Sequence, residues 1–238
     1  MKGSSRPPAP GEARRWVSRW GPLPPQAARA PLVLASASPR RRELLSVAGV
    51  ACEVLDPGGD ARPTGHGSWQ AACLHALHKA AIGARGRPGR LVLAADTVVV
   101  HRGRTLGKPR DPQEAAGMLQ ALSGDVHHVY TAFCLALRPP GGPRPTRVLW
   151  LEVVRSRVLM RRLRPAEIAA YVASGAPLDK AGAYGIQDRA PRVVESAAGC
   201  YYNVVGLPLA AVQHALYRVG WRGGCGGLRP PVPERRSA

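Results

Sequence analysis

The order of hydrophobic periods in this chain of 238 residues predicts an α/β fold built on a mixed, twisted sheet with flanking helices. Two observations carry that expectation. In the first half, short apolar runs alternate with stretches of helical period. In the second half two long apolar runs follow one another through a Pro/Gly-rich turn, which is the pattern of paired long strands. A third observation sets the scale: with 45% hydrophobic residues a chain of this length can bury a real core. Aromatics are only 5%, with a single Phe, so that core must be mostly Leu, Val and Ala.

Leu32–Ala35 is a short apolar run and reads as a buried strand. Ser38-Pro39 follows, with Ser placed as N-cap and Pro at the first helical position; the helix runs through Leu44 and Leu45 and stops near Gly49. Cys52–Leu55 is a second short strand, and a helix from about Ser68 to Ala84 carries Lys79. Leu91–Ala95 is a strand that delivers Asp96 at its end, and Val98–Val100 continues it. Asp111-Pro112-Gln113-Glu114 has the look of a capping box, and Gly124 can end the helix it opens. Val129–Leu137 and Val148–Met160 are the two long strands; Pro165 opens a helix that Gly175 closes, and Pro208 to Val219 is the last helix.

The globular part is expected over 31–221. Residues 1–30, rich in Pro, Arg and Ala, read as a flexible basic extension, and residues 222–238 as a flexible Gly/Arg/Pro tail. The formal net charge is +19, and the two ends carry about 8 of it by count, so the middle is basic as well. A basic chain suits polyanionic or phosphorylated partners. Of 34 basic residues only four are Lys: Lys2, Lys79, Lys108 and Lys180. Lysine is a compact point charge where Arg is a wide planar fork, so the three internal lysines are candidates for chemistry. Five scattered cysteines form no C-x-x-C pair and point to reduced thiols and a cytoplasmic setting. No apolar run approaches the ~18 residues of a membrane span, and residues 1–30 lack the apolar stretch of a secretory signal.

Four segments can carry chemistry. Ser36-Ala37-Ser38-Pro39-Arg40-Arg41-Arg42 leaves a strand and enters a helix, where unpaired N–H groups, two hydroxyls and three guanidiniums converge as a phosphate site. Read instead as a solvated, capped helix start, it would place cations against the helix dipole. Ala94-Ala95-Asp96-Thr97 puts a carboxylate at a strand end, where open α/β sheets hold ligands; it could bind a divalent metal or act on water. Lys108-Pro109-Arg110-Asp111 precedes a capped helix, and 179–187 combines Lys180 with glycines and Gln187, an amide able to pair with a base edge. His75-x-x-His78 has helical spacing but no third ligand, and is expected to be a pair of surface histidines.

Together these segments resemble the Maf family of nucleoside triphosphate pyrophosphatases. The matching stretches are LVLASASPRRRELL (32–45), LAADTVV (93–99), LGKPR (106–110), MLQALSG (118–124), YVASGAPLDKAGAYGIQ (171–187) and YNVVGLPL (202–209), in order and over roughly 31–215. The resemblance implies two lobes around a nucleotide cleft, as in inosine-triphosphatase-like folds, and hydrolysis between the α- and β-phosphates with Mg²⁺ or Mn²⁺. It implies Asp96 as general base, with Lys79 and Lys108 as further catalytic residues. Ser36, Ser38, Arg40, Arg41, Thr97, Lys180 and Gln187 would bind substrate. Arg40, Thr97 and Gln187 match the subgroup that prefers dTTP and UTP. Asp96 and Asp60 would be the metal ligands.

Two positions depart from the family pattern. Where it usually has an acidic pair after the second strand, this chain has Gly58-Gly59-Asp60-Ala61, and the glycine that usually follows Gln187 is Asp188. Expected partners are the triphosphate, a second copy in a homodimer, and polyanions held weakly by the basic ends, with no membrane. The competing expectation is a basic nucleic-acid-binding protein with a weak or inactive nucleotide site. It lacks the clustered aromatics of a base-stacking platform.

Overall fold

The computed structural model describes residues 13–17, 23–58, 69–142, 144–188 and 191–223. In chain order these form β1 (Ala13–Val17), α1 (Pro25–Arg29), β2 (Leu32–Ala35), α2 (Pro39–Val47), β3 (Cys52–Leu55), α3 (Trp69–Gly86), β4 (Leu91–His101) and β5 (Arg104–Leu106). There follow α4 (Pro112–Leu122), β6 (Val126–Leu137), β7 (Arg147–Met160), α5 (Pro165–Ala173), two short 3₁₀ turns (Ala176–Asp179, Ala181–Ala183), β8 (Val194–Ala198), α6 (Tyr201–Val205) and α7 (Leu209–Arg218). The expected α/β fold on a mixed sheet is what forms. The strands make one sheet in the order β1-β7-β6-β4-β2-β3, with β5 against β4 and β8 against β7. Strands β2, β3 and β4 run parallel; every other pairing is antiparallel.

The register of this sheet creates the site. Ala35 lies opposite both Leu55 of β3 and Ala94 of β4, so the two short parallel strands stop at one level. β4 continues beyond them and is next paired on that edge at Val99, by Leu106 of β5. Residues 95–98 are therefore an open edge at the carboxyl ends of parallel strands, flanked on the other side by β6.

Alternation along β4 sorts its side chains to two faces. Leu91, Leu93 and Ala95 join a core with Leu44 and Leu45 of α2 and Val212 and Leu216 of α7. Val92, Ala94 and Val98 join a second core with Ala72, Ala76, Ala80 and Ala84 of α3. That alanine stripe lets α3 lie close on the sheet: a Cβ at Gly83 would stand 2.8 Å from Ala35 Cβ and Val92 Cγ1. Further along, Val99 enters a third core with Leu119 and Leu122 of α4 and Ile168 and Tyr171 of α5. The first and third cores are the two lobes, and β4 runs from one to the other.

Three expectations need correction. Residues 1–30 are not uniformly an extension: Ala13–Val17 pairs with β7 from Val154 to Trp150, and Leu23 and Ala27 are buried in the first core. A five-residue edge strand needs only backbone partners and one apolar face, which Trp16 supplies by stacking on Trp69 at 5.9 Å. The tail boundary also shifts, since Arg222 N donates to Ala28 O at 2.6 Å; residues 224–238 lie outside the described residues. Ser38 holds the N-cap position of α2, but its side chain makes no capping bond. Asp111 does cap α4, accepting from Glu114 N at 2.7 Å.

Candidate active site

Asp96 stands on the open edge of β4, on the face covered by α3. His75 and Lys79 lie one turn apart on α3 and so share a helix face. Lys79 Nζ donates to Asp96 Oδ1 at 2.7 Å, and His75 Nδ1 meets Oδ2 at 3.0 Å. With the carboxylate ionised, an ion that only accepts, Nδ1 must carry the proton. Burial pushes the Asp96 carboxyl upward, but the His75 hydrogen bond and the charges of Lys79 and Arg41 outweigh it, and the group is held below the ordinary carboxylate range. Asp96 is thus an anion at neutral pH.

Thr97 points to the other face, where Arg41 organises the cleft floor. Its guanidinium is buried and donates to Gly206 O at 2.9 Å, Ser36 Oγ at 2.9 Å and Thr97 Oγ1 at 3.2 Å. Thr97 Oγ1 also lies 2.9 Å from Thr131 Oγ1 of β6, and Asn203 bonds Thr131 through both backbone and side chain. Ser36 Oγ in turn accepts from Ser38 N at 3.3 Å. The phosphate-type loop 36–41, the strand β4 and the turn at Gly206 are tied together by one cation. The Thr97 hydroxyl and Ser36 serve this framework.

Arg40 reaches across the cleft mouth. It donates to the Asp179 carboxylate at 2.6 Å and to the Asp179 carbonyl at 3.1 Å, joining α2 to the first 3₁₀ turn of the other lobe. Lys180 Nζ donates to Ala176 O at 2.6 Å and Asp179 Oδ1 at 3.0 Å, and lies 3.7 Å from Asp188. Asp188 is itself held by the Tyr171 hydroxyl, which also accepts from Gly185 N. Lys108 and Gln187 are exposed at the rim.

All these groups line one cleft of about 580 Å³, which brings together Ser36, Ser38, Arg40, Arg41, Lys79, Asp96, Thr97, Lys108, Lys180 and Gln187. His75, expected as a surface residue, is a member as well, and so is Asp56 after β3. Helical spacing alone could not show that a β4 carboxylate faces His75. Asp60 lies outside the described residues. Among the described residues no group of three or more His, Cys, Asp and Glu could hold a metal ion. Each oxygen of Asp96 already accepts one bond from α3 and keeps a further lone pair toward the cleft, so Asp96 by itself offers fewer ligands than a divalent ion takes. The lining Arg and Lys side chains (Arg40, Arg41, Lys79, Lys108, Lys180) outnumber the acids (Asp56, Asp96, Asp179, Asp188) by one. That falls far short of a triphosphate's charge. The donor set fits a divalent cation that arrives coordinated by the phosphates.

Such a cleft defines the class: an α/β protein whose ligand site opens beyond the carboxyl ends of its parallel strands, between a helix N-terminus and a framed carboxylate. Comparison supplies the family. Residues 31–219 match the family described as Maf-like protein, and the chain belongs to that family. A dTTP/UTP pyrophosphatase of Anaeromyxobacter sp. (strain Fw109-5) is 49% identical, covering 79% of this chain and 89% of that one. The enzyme of the same description from Thermomicrobium roseum is 47% identical over 80% and 84% of the two chains. That of Pelotomaculum thermopropionicum is 42% identical over 80% and 97%. Among solved structures, a HAM1 protein from Coxiella burnetii aligns with 79% of this chain and 95% of its own at 18% identity, with a TM-score of 0.37. β1 and α1 lie outside the family match.

Proposed function

We propose that this protein is a nucleoside triphosphate pyrophosphatase that converts dTTP and UTP to the monophosphate and pyrophosphate in the cytoplasm. The observation that carries the reading is the ionised carboxylate of Asp96, framed by Lys79 and His75 in a cleft that the N-terminus of α2 also lines. The relatives described as dTTP/UTP pyrophosphatases support the choice of nucleotide.

In this reading the phosphates lie against the first turn of α2, where Ser38 leaves the helix N–H groups without a side-chain cap. Arg40 and Lys108 reach the outer phosphates, Arg40 by exchanging Asp179 for phosphate, while Lys180 approaches from the far wall. Asp96 accepts a hydrogen bond from water, aims it at the α-phosphorus and takes its proton as the new bond forms. A carboxylate held this acidic is a weak ground-state base, so its first contribution is orientation. Lys79 and Arg41 keep it ionised. In the same reading the amide of Gln187, exposed on the cleft lining, pairs with a pyrimidine's carbonyl and N–H. A Mg²⁺ or Mn²⁺ ion carried by the phosphates would neutralise charge on the leaving pyrophosphate. A homodimer and weak polyanion contact through the basic ends belong to the same proposal.

The test is a panel of triphosphates with Mn²⁺ and identification of the products. Monophosphate plus pyrophosphate, fastest from dTTP and UTP, is expected. Diphosphate plus phosphate, or no turnover with any triphosphate, would overturn the reading. Salt-sensitive polynucleotide binding without turnover would favour the nucleic-acid alternative.

A further inference from the structure

We propose that His75 is a positioning residue for Asp96: it clamps one carboxylate oxygen so that the lone pairs turned to the cleft stay aimed at the attacking water. The inference rests on the pyrophosphatase reading above.

Three observations lead to it. Backbone pairing fixes the Asp96 main chain, since Asp96 sits opposite Ala132 in the antiparallel ladder between β4 and β6. That leaves the two side-chain torsions free. Lys79 alone cannot fix them, because an ammonium is a point charge with three rotatable donors and a carboxylate can swing around it. His75 supplies what is missing. Its ring is planar and its Nδ1 points one way, and it engages Oδ2 while Lys79 engages Oδ1. Both donors come from one rigid helix, one turn apart, so the plane of the carboxylate is set by α3.

The location is that of a working group. The His75 and Asp96 side chains are 12% and 13% exposed, and both line the cleft. A histidine serving only as a surface residue would be more open; one serving only the core would face the alanine stripe at 72, 76, 80 and 84. His75 shares its helix face with Ala71 and Lys79, four residues away on either side and both buried, so that face is turned inward.

The test compares His75→Leu with His75→Asn in the full chain. Asparagine places its amide nitrogen near the position of Nδ1 and keeps the donor, whereas leucine fills the space without one. His75→Leu is expected to lower kcat on dTTP about ten-fold while KM changes less than about two-fold, because one charged hydrogen bond governs orientation and not binding. His75→Asn is expected to recover kcat to within about three-fold of wild type. Equal impairment of both variants, or a leucine variant with wild-type kcat, overturns the proposal. Crystal structures of the two variants give an arm independent of turnover. The Asp96 carboxylate should rotate about its second torsion in the leucine variant and keep its place in the asparagine variant; an unmoved carboxylate in His75→Leu also overturns it. If the wild-type chain releases no pyrophosphate from any triphosphate, the functional reading fails, and the structural arm still decides the role of His75.

Discussion

Arg15→Met tests whether the N-terminal strand is part of the fold. Arg15 lies on β1 opposite Glu152 of β7. Its Nε donates to Glu152 Oε2 at 2.8 Å and its terminal nitrogen to Oε1 at 3.2 Å, a two-pronged ion pair. The Glu152 side chain is 1% exposed and has one further donor described, Trp150 Nε1 at 2.8 Å. Removing one partner of a fully buried pair costs about 3–5 kcal/mol, because the other charge is left behind. Arg15 is 42% exposed, so water can take part of its place, and about 2 kcal/mol is the expected loss. For a chain of this size that corresponds to a fall in Tm of about 4–8 °C. Methionine keeps the apolar stem over the Trp150 ring, where the guanidinium now sits 4.9 Å from the centroid. The assay is thermal or urea unfolding of the full chain followed by circular dichroism. Adding Glu152→Gln should restore at least half of the loss, since a neutral amide needs no cation. A single variant within about 0.5 kcal/mol of wild type would refute the reasoning and detach β1 from the stability of the domain.

The remaining predictions concern packing, pH and specificity. Gly83→Ala should cost about 1–3 kcal/mol, because its methyl would meet Ala35 and Val92 at 2.8 Å and lift α3, with His75 and Lys79, off the sheet; unchanged unfolding would mean that α3 is not seated this closely. Burial, with the charges of His101 and His128, lowers the His127 pKa from 6.5 to about 3, while its Nε2 lies 2.6 Å from the Tyr184 hydroxyl. Below pH 6.5 the unfolded chain therefore takes up a proton at this site that the folded one refuses. Stability should fall with acid from there toward about 3, by up to about 1.4 kcal/mol per pH unit, and His127→Gln should flatten that part of the profile. Parallel profiles for the two proteins between pH 6.5 and 5 would contradict this. Gln187→Glu should reduce the preference for pyrimidine triphosphates about ten-fold, on the scale of a lost polar contact, and an unaltered order of kcat/KM would remove Gln187 from base recognition.

Much of the architecture was legible because the long elements announce themselves. The two long strands, the capped helix at Asp111 and the Pro165 helix begin and end within a few residues of the reading, since apolar period and punctuation agree there. Short elements were not legible. β1 lies in an Arg- and Pro-rich stretch and is stabilised by β7 and Trp69, partners far away in sequence. β5, with three residues, and α6, with five, are too short to show a period. At the site, motif order brought Asp96, Lys79 and the loop at 36–41 into one group, and the Arg bias singled out the internal lysines. It could not show how the cations are spent. Arg41 frames the floor, Arg40 bridges the mouth to Asp179, and Lys180 is held between Asp179 and Ala176; each assignment depends on contacts between distant segments. His75 was misread for the same reason.

The measurement that bears most directly on the central claim is turnover and nucleotide affinity of Asp96→Asn, taken on one preparation. The amide keeps the size of the carboxylate but cannot take a proton from water. The variant should fold and bind dTTP at least as tightly as wild type, because one negative charge has left the cleft. Its release of pyrophosphate should fall about 10²-fold or more, the scale of a lost general base. A folded Asp96→Asn protein that turns over dTTP at nearly the wild-type rate would contradict the account.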